Sequence, residues 1–429
     1  MDIYIIDPYQ GSSPHFPIVG IVSDYYSYIW NPQLYDLGYF ELILRASPEN
    51  ISKLKPGRFL VRECDWRVDD GKNIYRNAMV IRTSAITWDP DQGYVLTVSG
   101  KTLKDVLNQR IVWNQIMFDT EQTIPDIVAA AVMQNFSTPL QYAQLKQSEW
   151  EDALETAEDA LADAIDAYNQ AVSQYGEDSD QAKAALEVVN QKKEQKQYCI
   201  DEIEAWDRSA AQQAYRELDF IIVNNVYGTW VPPRAIVQFR GENIGDLTKQ
   251  LCMDYKVGWE MELDDDLITL NWVIGEDRTS TVIFSPEYDN LLSSTYTKSM
   301  ADYSNSGLVG GEGEGDLQYT AEFGSAAAGD RYEAWYDATN VTRNDGRIPE
   351  DKYIRMLRSY GKKQNAKYNQ MTSMTGNVVV NGVYKIDEDY TLGDYVTLSN
   401  NGISSSVRLV ELIYSDGESG TDSVAVFDE

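Results

Sequence analysis

The chain has 429 residues, of which 43% are hydrophobic, and it carries a formal net charge of −32. This length exceeds one ordinary hydrophobic core, so the sequence predicts two or three domains. The acidic charge excludes a basic surface for gripping nucleic-acid phosphates, and no apolar run approaches the roughly 20 residues that span a bilayer.

Strands with turns between them fill the first 112 residues. Apolar residues alternate from Ile18 to Trp30, from Tyr39 to Arg45, from Met79 to Trp88 and from Tyr94 to Ser99. Gly, Pro and Asp residues separate these runs, which is typical of a barrel or a sandwich. A short helix over 102–107 is predicted to close this domain.

A mixed α/β region is predicted for residues 113–143 and 218–287. Thr123, with Pro125 in the first turn, predicts the start of a helix. The alternation from Trp259 to Trp272 across an Asp-Asp-Asp turn predicts a β-hairpin with one buried face.

Residues 144–217 interrupt this region and are predicted to form an inserted antiparallel helical hairpin. Ser148 and Glu151 have the capping-box spacing that predicts the start of the first helix, and Gly176 predicts its end. Apolar residues that recur every three or four positions form the heptad seam of a coiled coil. They are Leu154, Ala157, Leu161, Ala164, Tyr168, Ala171 and Tyr175.

The sequence predicts that this hairpin projects as an arm. Two helices of roughly 30 residues would reach about 45 Å, and the small seam residues bury little apolar area. We therefore predict that the arm packs against neighbouring subunits or another protein, with Tyr168 and Tyr175 as contact candidates. The alternative is that the hairpin is a solvated spacer that binds no partner.

The last region, residues 288–429, is predicted to be β-rich again. Strands are expected at 378–380, 395–398, 407–413 and 424–427, with a basic helix at 349–367. A strand-rich segment therefore lies on either side of the mixed region.

Several segments together carry a resemblance to a known family. Gly275-Glu276-Asp277-Arg278-Thr279, followed by Val282-Ile283-Phe284-Ser285 and Asp289-Asn290-Leu291, resembles the signature of the siphophage tail-tip baseplate hub family. Three further segments of the sequence agree with it. They are Leu34 to Leu42, Val98 to Leu103 with Arg110 to Val112, and Leu392 to Thr397.

This resemblance implies a β-rich α+β fold in which two tube-type β-barrels, 1–112 and 288–429, flank the mixed domain. It implies a homotrimeric ring that continues the tail tube, adapts sixfold to threefold symmetry and lets duplex DNA pass without specific binding. The implied partners are the distal tail protein, the tape-measure protein and tail fibre, spike or other tail-tip proteins. The implied location is a virion assembled in the host cytoplasm.

The resemblance also implies a role for the signature residues. The turn with Asp277 and Arg278, and the loop of Asp289, Asn290 and Leu291, would join the middle domain to the second barrel. Arg278 is the candidate for pairing with a carboxylate. A local structural role for these residues is favoured over a subunit contact.

No catalytic, metal or cofactor site is predicted. His15 is the one histidine, which rules out histidine-based metal motifs and argues against a histidine triad. Three widely separated cysteines imply neither a disulfide framework nor a zinc site. Glu260 and Glu262 share one strand face and are the candidate pair for a competing function, a cell-wall hydrolase acting as a tail lysin. The sequence is also compatible with a monomeric binding module and with the hub of a phage-like contractile injection particle.

Overall fold

The computed structural model describes residues 1–11, 14–69, 71–91, 93–213, 217–226, 228–301, 303–339, 341–343, 348–366, 371–380, 382–417 and 420–428. None of the helices in these ranges has the length and apolar character needed to cross a membrane. The fold is α+β and β-rich, as the sequence predicts.

The strands follow the chain in this order: β1 (Ile3–Ile6), β2 (Ile18–Val22), β3 (Ser27–Asn31), β4 (Tyr39–Arg45), β5 (Phe59–Arg62), β6 (Trp66–Asp69), β7 (Lys72–Tyr75), β8 (Met79–Asp89), β9 (Gly93–Thr102), β10 (Ile116–Thr123), β11 (Ile221–Val223), β12 (Arg234–Phe239), β13 (Gly258–Asp264), β14 (Ile268–Val273), β15 (Ile283–Phe284), β16 (Leu291–Ser299), β17 (Ser306–Gly310), β18 (Thr320–Gly324), β19 (Glu333–Asp337), β20 (Met371–Val378), β21 (Tyr395–Asn400), β22 (Ile403–Asp416) and β23 (Asp422–Asp428). The α-helices are α1 (Pro48–Lys53), α2 (Ile124–Val132), α3 (Pro139–Tyr175), α4 (Asp180–Gln213), α5 (Ile244–Asp254) and α6 (Glu350–Ala366). A 3₁₀-helix, Leu103–Gln109, follows β9 where the sequence predicts a short helix.

One large sheet contains strands from both ends of the chain. Its order is β15-β21-β22-β3-β4-β9-β8-β5-β1-β2, and β23 pairs with β22. The link between the two ends is antiparallel, with Tyr414 opposite Trp30 and Asp416 opposite Tyr28. Trp30 packs with Phe40 in the core on one face of β3 and β4.

No sheet in the described ranges closes into a barrel, which differs from the two tube-type β-barrels that the resemblance implies for residues 1–112 and 288–429. The reason lies in strand pairing. The strands of the last region do not close on themselves, because the edge of β22 hydrogen-bonds to β3 of the first region. Each end of the chain therefore supplies part of a shared open sheet.

The middle of the chain shares a core with the first region. A second sheet, β11-β14-β13-β7-β6, combines the Trp259 hairpin with the β6–β7 hairpin, which lies within residues 1–112. Its hydrophobic core includes Phe16 and Tyr75 together with Trp259 and Leu270. The alternation around Trp259 predicts this buried face correctly, with Trp259, Met261 and Leu263 all buried.

The helical hairpin is longer than predicted. Helices α3 and α4 have 37 and 34 residues, which is about 50 to 55 Å at 1.5 Å per residue. The predicted capping box at Ser148 is wrong, because Ser148 lies inside α3, which begins at Pro139. The first helix ends before Gly176 (φ +86°), and Ser179 Oγ accepts a hydrogen bond from the Ala182 amide at the start of α4.

The root of the hairpin is fixed by aromatic packing. Tyr142 on α3 and Trp206 on α4 are buried, with ring centroids 6.0 Å apart in an edge-to-face arrangement. Trp150 and Tyr198 form a second such pair at 5.1 Å. Further out, Lys196 Nζ lies 2.9 Å from Glu158 Oε1 and joins the two helices on their surface.

Two smaller sheets belong to the last region. Strands β16 and β20 form an antiparallel ribbon. Strands β18-β17-β19 form a three-stranded sheet, and α6 covers one of its faces. Helix α6 spans Glu350–Ala366, so the predicted helix over 349–367 agrees with the structure up to Ala366, and residue 367 lies outside the described ranges.

Candidate functional site

The signature turn lies directly beside β21. The backbone N–H of Arg278 donates to the carbonyl of Tyr395 at 2.8 Å, and its own carbonyl accepts from the Val282 N–H at 2.8 Å. The Arg278 guanidinium lies 2.6 Å from a Glu276 carboxylate oxygen and 3.8 Å from Asp394. The turn therefore attaches the segment after β14 to β21 of the last region.

Asp277 stabilises this turn locally. Its Oδ1 accepts hydrogen bonds from the Thr279 hydroxyl at 2.6 Å and from the Thr279 N–H at 3.0 Å. These two hydrogen bonds hold the pKa of Asp277 below its ordinary value. Because the side chain is exposed, it also remains accessible from outside the chain.

The loop of Asp289, Asn290 and Leu291 is built around the buried Asn290. The Asn290 side-chain oxygen accepts from the Ser285 N–H at 2.8 Å, and its NH₂ group donates to the Ile283 carbonyl at 3.0 Å. Asp289 has the left-handed backbone conformation, φ 52°, that ends the short 3₁₀ turn before it. Leu291 is buried in the core of β21, β22 and β23.

Arg408 on β22 is a functional candidate that the sequence analysis missed. It is only 5% exposed, yet its guanidinium donates to the carbonyls of Gly393 (2.8 Å), Lys256 (2.9 Å), Val273 (3.0 Å) and Ile274 (2.8 Å). A fifth hydrogen bond reaches the Tyr35 hydroxyl at 3.2 Å.

These contacts join three parts of the chain through one side chain. A planar guanidinium has five N–H donors in a fixed geometry, so Arg can satisfy several carbonyl groups at once. The sequence signal was weak. It consists of one cation in the strand Val407 to Ile413, which is apolar apart from Arg408 and Glu411.

A second buried cation, Lys104, ties the first region to the middle. Its Nζ donates to the carbonyls of Gln33 (2.6 Å), Leu34 (3.1 Å) and Asp36 (3.1 Å) and lies 4.6 Å from the centre of the Trp259 ring. Burial lowers the pKa of Lys104 to about 7. The carbonyl oxygens and the indole face attract the charged ammonium and hold it in place.

Arg62 performs a similar task between β5 and β22. Its Nε lies 2.6 Å from Asp65 Oδ2, and its guanidinium lies over the Tyr414 ring at 4.1 Å and the Trp30 ring at 5.6 Å. Burial alone would lower the pKa of Arg62, but the Asp65 carboxylate outweighs it and raises the pKa. Tyr414 and Trp30 are the residues that pair across β22 and β3.

A cavity of about 280 Å³ lies beside the buried Lys104. Its walls include Trp66 and Lys104 from the first region, Trp259 from the middle, and Leu412 and Tyr414 from the last region. The cavity therefore marks the place where the three parts of the chain meet.

The acidic pair considered for hydrolysis lies at this junction. Glu262 Oε2 is 3.6 Å from Arg67 and 3.7 Å from Arg76. Burial raises the pKa of Glu262 and the neighbouring Glu260 adds to the increase, while the two arginines oppose it. In the described ranges, no three or more His, Cys, Asp or Glu side chains group together to hold a metal ion. His15 packs against Tyr9 and lies 3.7 Å from Asp266.

The two arm tyrosines occupy different environments. Tyr168 is partly buried along the packed helices, whereas Tyr175, the last residue of α3, is 54% exposed. They lie on the arm, and Arg278 and the 289–291 loop lie beside β21. The predicted contact residues thus form two separate groups, one on the body and one on the arm.

Comparison with known structures finds several tail proteins of similar length. The 43 kDa tail protein of prophage MuSo2 from Shewanella oneidensis has 11% identity and a TM-score of 0.46, covering 100% of this chain and 98% of that one. A tail protein from Neisseria meningitidis has 11% identity and a TM-score of 0.45, covering 100% and 96%. Prophage tail protein gp18 from Listeria monocytogenes has 10% identity and a TM-score of 0.45, covering 100% and 94%.

These similarities are weak and the assignment does not depend on them. A search of curated proteins finds no match. The family model described as "Siphovirus ReqiPepy6 Gp37-like protein", in contrast, matches residues 2–426. The chain therefore belongs to the siphovirus ReqiPepy6 Gp37-like protein family.

Proposed function

We propose that this chain is a phage tail protein, the baseplate hub at the tail tip, where three copies form a ring that continues the tail tube. The observation that carries the proposal is the sheet that joins β22 to β3. Two tube-wall units from one chain, repeated three times, would match a sixfold tube on one side and a threefold tip on the other. A head-to-tail contact between neighbouring copies closes into a ring of three when each copy is rotated by one third of a turn from the next.

The open sheet provides a way to build the wall. Strands β2 and β15 stand at the two ends of its strand order, and an unpaired strand edge is a template for pairing with another chain. In the proposed ring, neighbouring copies complete the two tube-type barrels that one chain leaves open. Duplex DNA passes through the ring without specific binding, because a chain of net charge −32 repels phosphates.

The contact residues fit this proposal in two ways. The turn of Asp277 and Arg278 and the loop of Asp289 to Leu291 join the middle of the chain to its last region. The arm carries Tyr168 and Tyr175 toward neighbouring subunits or another tail protein. The partners on the tube side are the distal tail protein and the tape-measure protein, and those on the tip side are fibre, spike or other tail-tip proteins.

The experiment is a mass measurement of the purified chain, alone and with the distal tail protein, followed by imaging of the complex along its axis. The expected species has three times the 48.6 kDa chain mass and shows a threefold ring with a central hole. A species that stays monomeric with the partner present, or a ring of another order, would refute the proposal. An image of the whole particle also separates a long flexible tail from a contractile injection particle.

The competing function is a cell-wall hydrolase that uses Glu260 and Glu262, and the raised pKa of Glu262 is the observation that favours it. Against it, Glu262 is held between two arginines, whereas a general acid must reach the bond that it protonates. We propose that the chain has no catalytic role. Purified protein should leave the turbidity of a cell-wall suspension unchanged, and lysis that Glu260→Gln abolishes would establish the hydrolase.

A further inference from the structure

The three-stranded sheet of β17, β18 and β19 has one covered and one open face. Val309 and Phe323 point to α6 and pack with its buried Tyr353. Side chains alternate along a strand, so Leu308 and Trp335 share the opposite face. They are direct neighbours in the β17–β19 pairing, and both are exposed.

The indole of Trp335 packs against Gly310 on this open face. A Cβ atom added to Gly310 would collide with Cζ2 and Cη2 of the indole, so the six-membered ring rests above a residue that has no side chain. Trp335 nevertheless remains 53% exposed. The side of the ring that does not touch the sheet is therefore open to solvent.

Hydrogen-bond acceptors surround the end of the indole. Gly310 pairs with Thr320 on one side and Asp337 on the other, and both residues are exposed. The Gln318 NH₂ group also lies close to Gly310 and donates to the Gly311 carbonyl at 3.0 Å, which leaves the Gln318 amide oxygen for another donor. Thr339 donates to Asp337 Oδ1 at 2.9 Å and fixes the position of that carboxylate.

We propose that this face binds a saccharide, with one pyranose ring stacked on Trp335 and its hydroxyl groups donating to Asp337, Gln318 and Thr320. The face of an indole is negative and attracts the weakly positive C–H groups on the face of a sugar ring. Hydroxyl groups that donate to a carboxylate form the stronger, charge-assisted kind of hydrogen bond. This site goes beyond the hub function and does not depend on it.

The arrangement favours a saccharide over a cationic ligand. An ammonium group binds best where several carboxylates converge over an aromatic ring. Here two of the three acceptors around the indole are neutral. Of the other carboxylates on this face, Glu333 on β19 is paired with Arg331, and Glu322 on β18 lies opposite Leu308 and not beside Gly310. Hydrogen-bond acceptors distributed around the indole match the hydroxyl groups that are distributed around a pyranose ring.

The experiment titrates the full-length chain with tetrasaccharides of glucose and of N-acetylglucosamine and follows the heat of binding. At least one sugar should bind with a Kd of about 10 mM or tighter, and Trp335→Ala should weaken it about tenfold or more. The matched control is Trp88→Ala. Trp88 is also an exposed indole, 65% accessible on the β8–β9 hairpin, and its removal should leave the affinity unchanged.

A second variant moves the indole without removing it. Gly310→Ala should push the Trp335 ring off the sheet and weaken binding while circular dichroism and the melting temperature show an intact fold. Binding of the sugar should also be the same at low and high salt, because only charged ligands are screened.

Three results would overturn the proposal. One is that neither tetrasaccharide produces a measurable heat of binding. Another is that Trp88→Ala lowers the affinity for the sugar as much as Trp335→Ala does. The third is that tetramethylammonium binds in a Trp335-dependent, salt-sensitive manner while the sugars do not, which would make the face a cation site.

Discussion

Replacing Arg408 by Met tests whether one buried guanidinium holds the three parts of the chain together. Met has a similar length and no polar group, so the change removes five hydrogen bonds and leaves the space largely filled. The four carbonyl groups of Gly393, Lys256, Val273 and Ile274 all lose their guanidinium donor.

The expected loss follows from these acceptors. A buried carbonyl that loses its partner costs about 1 kcal/mol at the low end of the measured range, which gives about 4 kcal/mol for four carbonyls. The guanidinium also lies over the rings of Tyr395 (5.2 Å) and Tyr35 (5.8 Å), and these contacts add about 1 kcal/mol. Met carries no charge, so the cost of burying the guanidinium disappears, which restores about 1 kcal/mol of stability. We therefore expect the free energy of unfolding to fall by about 4 kcal/mol.

The assay is urea unfolding followed by tryptophan fluorescence, together with limited proteolysis of the native protein. The proteolysis should show faster cutting between β14 and β15, because that segment loses its attachment to β22. The matched control is Arg355→Met on the exposed face of α6, where Arg355 forms one surface ion pair with Asp351. Such pairs contribute about 0 to 1 kcal/mol, so the control should unfold almost like the natural chain.

The reasoning is refuted if Arg408→Met and Arg355→Met differ by less than about 1 kcal/mol, a difference within the range of ordinary surface substitutions. Arg408→Lys separates charge from geometry. Lys keeps the charge but has three donors on a single nitrogen, so it should recover only part of the stability.

Three further predictions concern other contacts. Lys104 has a pKa of about 7 when folded and 10.5 as its ordinary value, so the unfolded chain binds the proton more tightly and stability should rise with pH between these values. The slope should be about 1.4 kcal/mol per pH unit, and a urea series from pH 7 to 10 should show no such slope in Lys104→Met. Gly275→Ala should lower the melting temperature by several degrees, because Gly275 has φ +77° and a Cβ there would strike the Gly393 carbonyl; an unchanged melting temperature would contradict this. Trp206→Ala removes the partner of Tyr142 at the root of the arm, and truncation of a buried Trp costs about 3 to 5 kcal/mol. Hydrogen exchange should therefore become faster in α3 and α4 and stay unchanged in the rest of the protein. Faster exchange throughout the chain would contradict the prediction that Trp206 stabilises the arm alone.

Local patterns in the sequence predicted the elements well. The alternation at Trp259 gave a hairpin with the correct buried face, and Gly176 ended the first arm helix. The start of that helix was missed because Tyr142 and Ala143 are buried in a cluster with Trp206, which lies more than sixty residues further along. The periodicity of a sequence indicates which residues share one face of a helix, but it contains no information about a residue on another helix that packs against that face.

The long-range features were beyond the reach of local patterns for the same reason. Nothing in the residues around Trp30 indicates that Tyr414 lies opposite, so two separate tube-type barrels were expected where one sheet joins both ends of the chain. Arg408 and Lys104 were missed because their partners are backbone carbonyls. A carbonyl group is present at every residue, and only the folded chain shows which ones converge.

The pairing of β3 with β22 also delays the completion of the large sheet while the chain is being synthesised. About 370 residues separate Asn31 from Ile403, which takes roughly 20 to 75 seconds at ribosomal speeds of about 5 to 20 residues per second. Throughout that interval the edge of β3, with Tyr28 and Trp30, has no β22 to cover it. A nascent chain is therefore most prone to aggregation before its last strands emerge, and bound chaperones during this delay should raise the yield of folded protein.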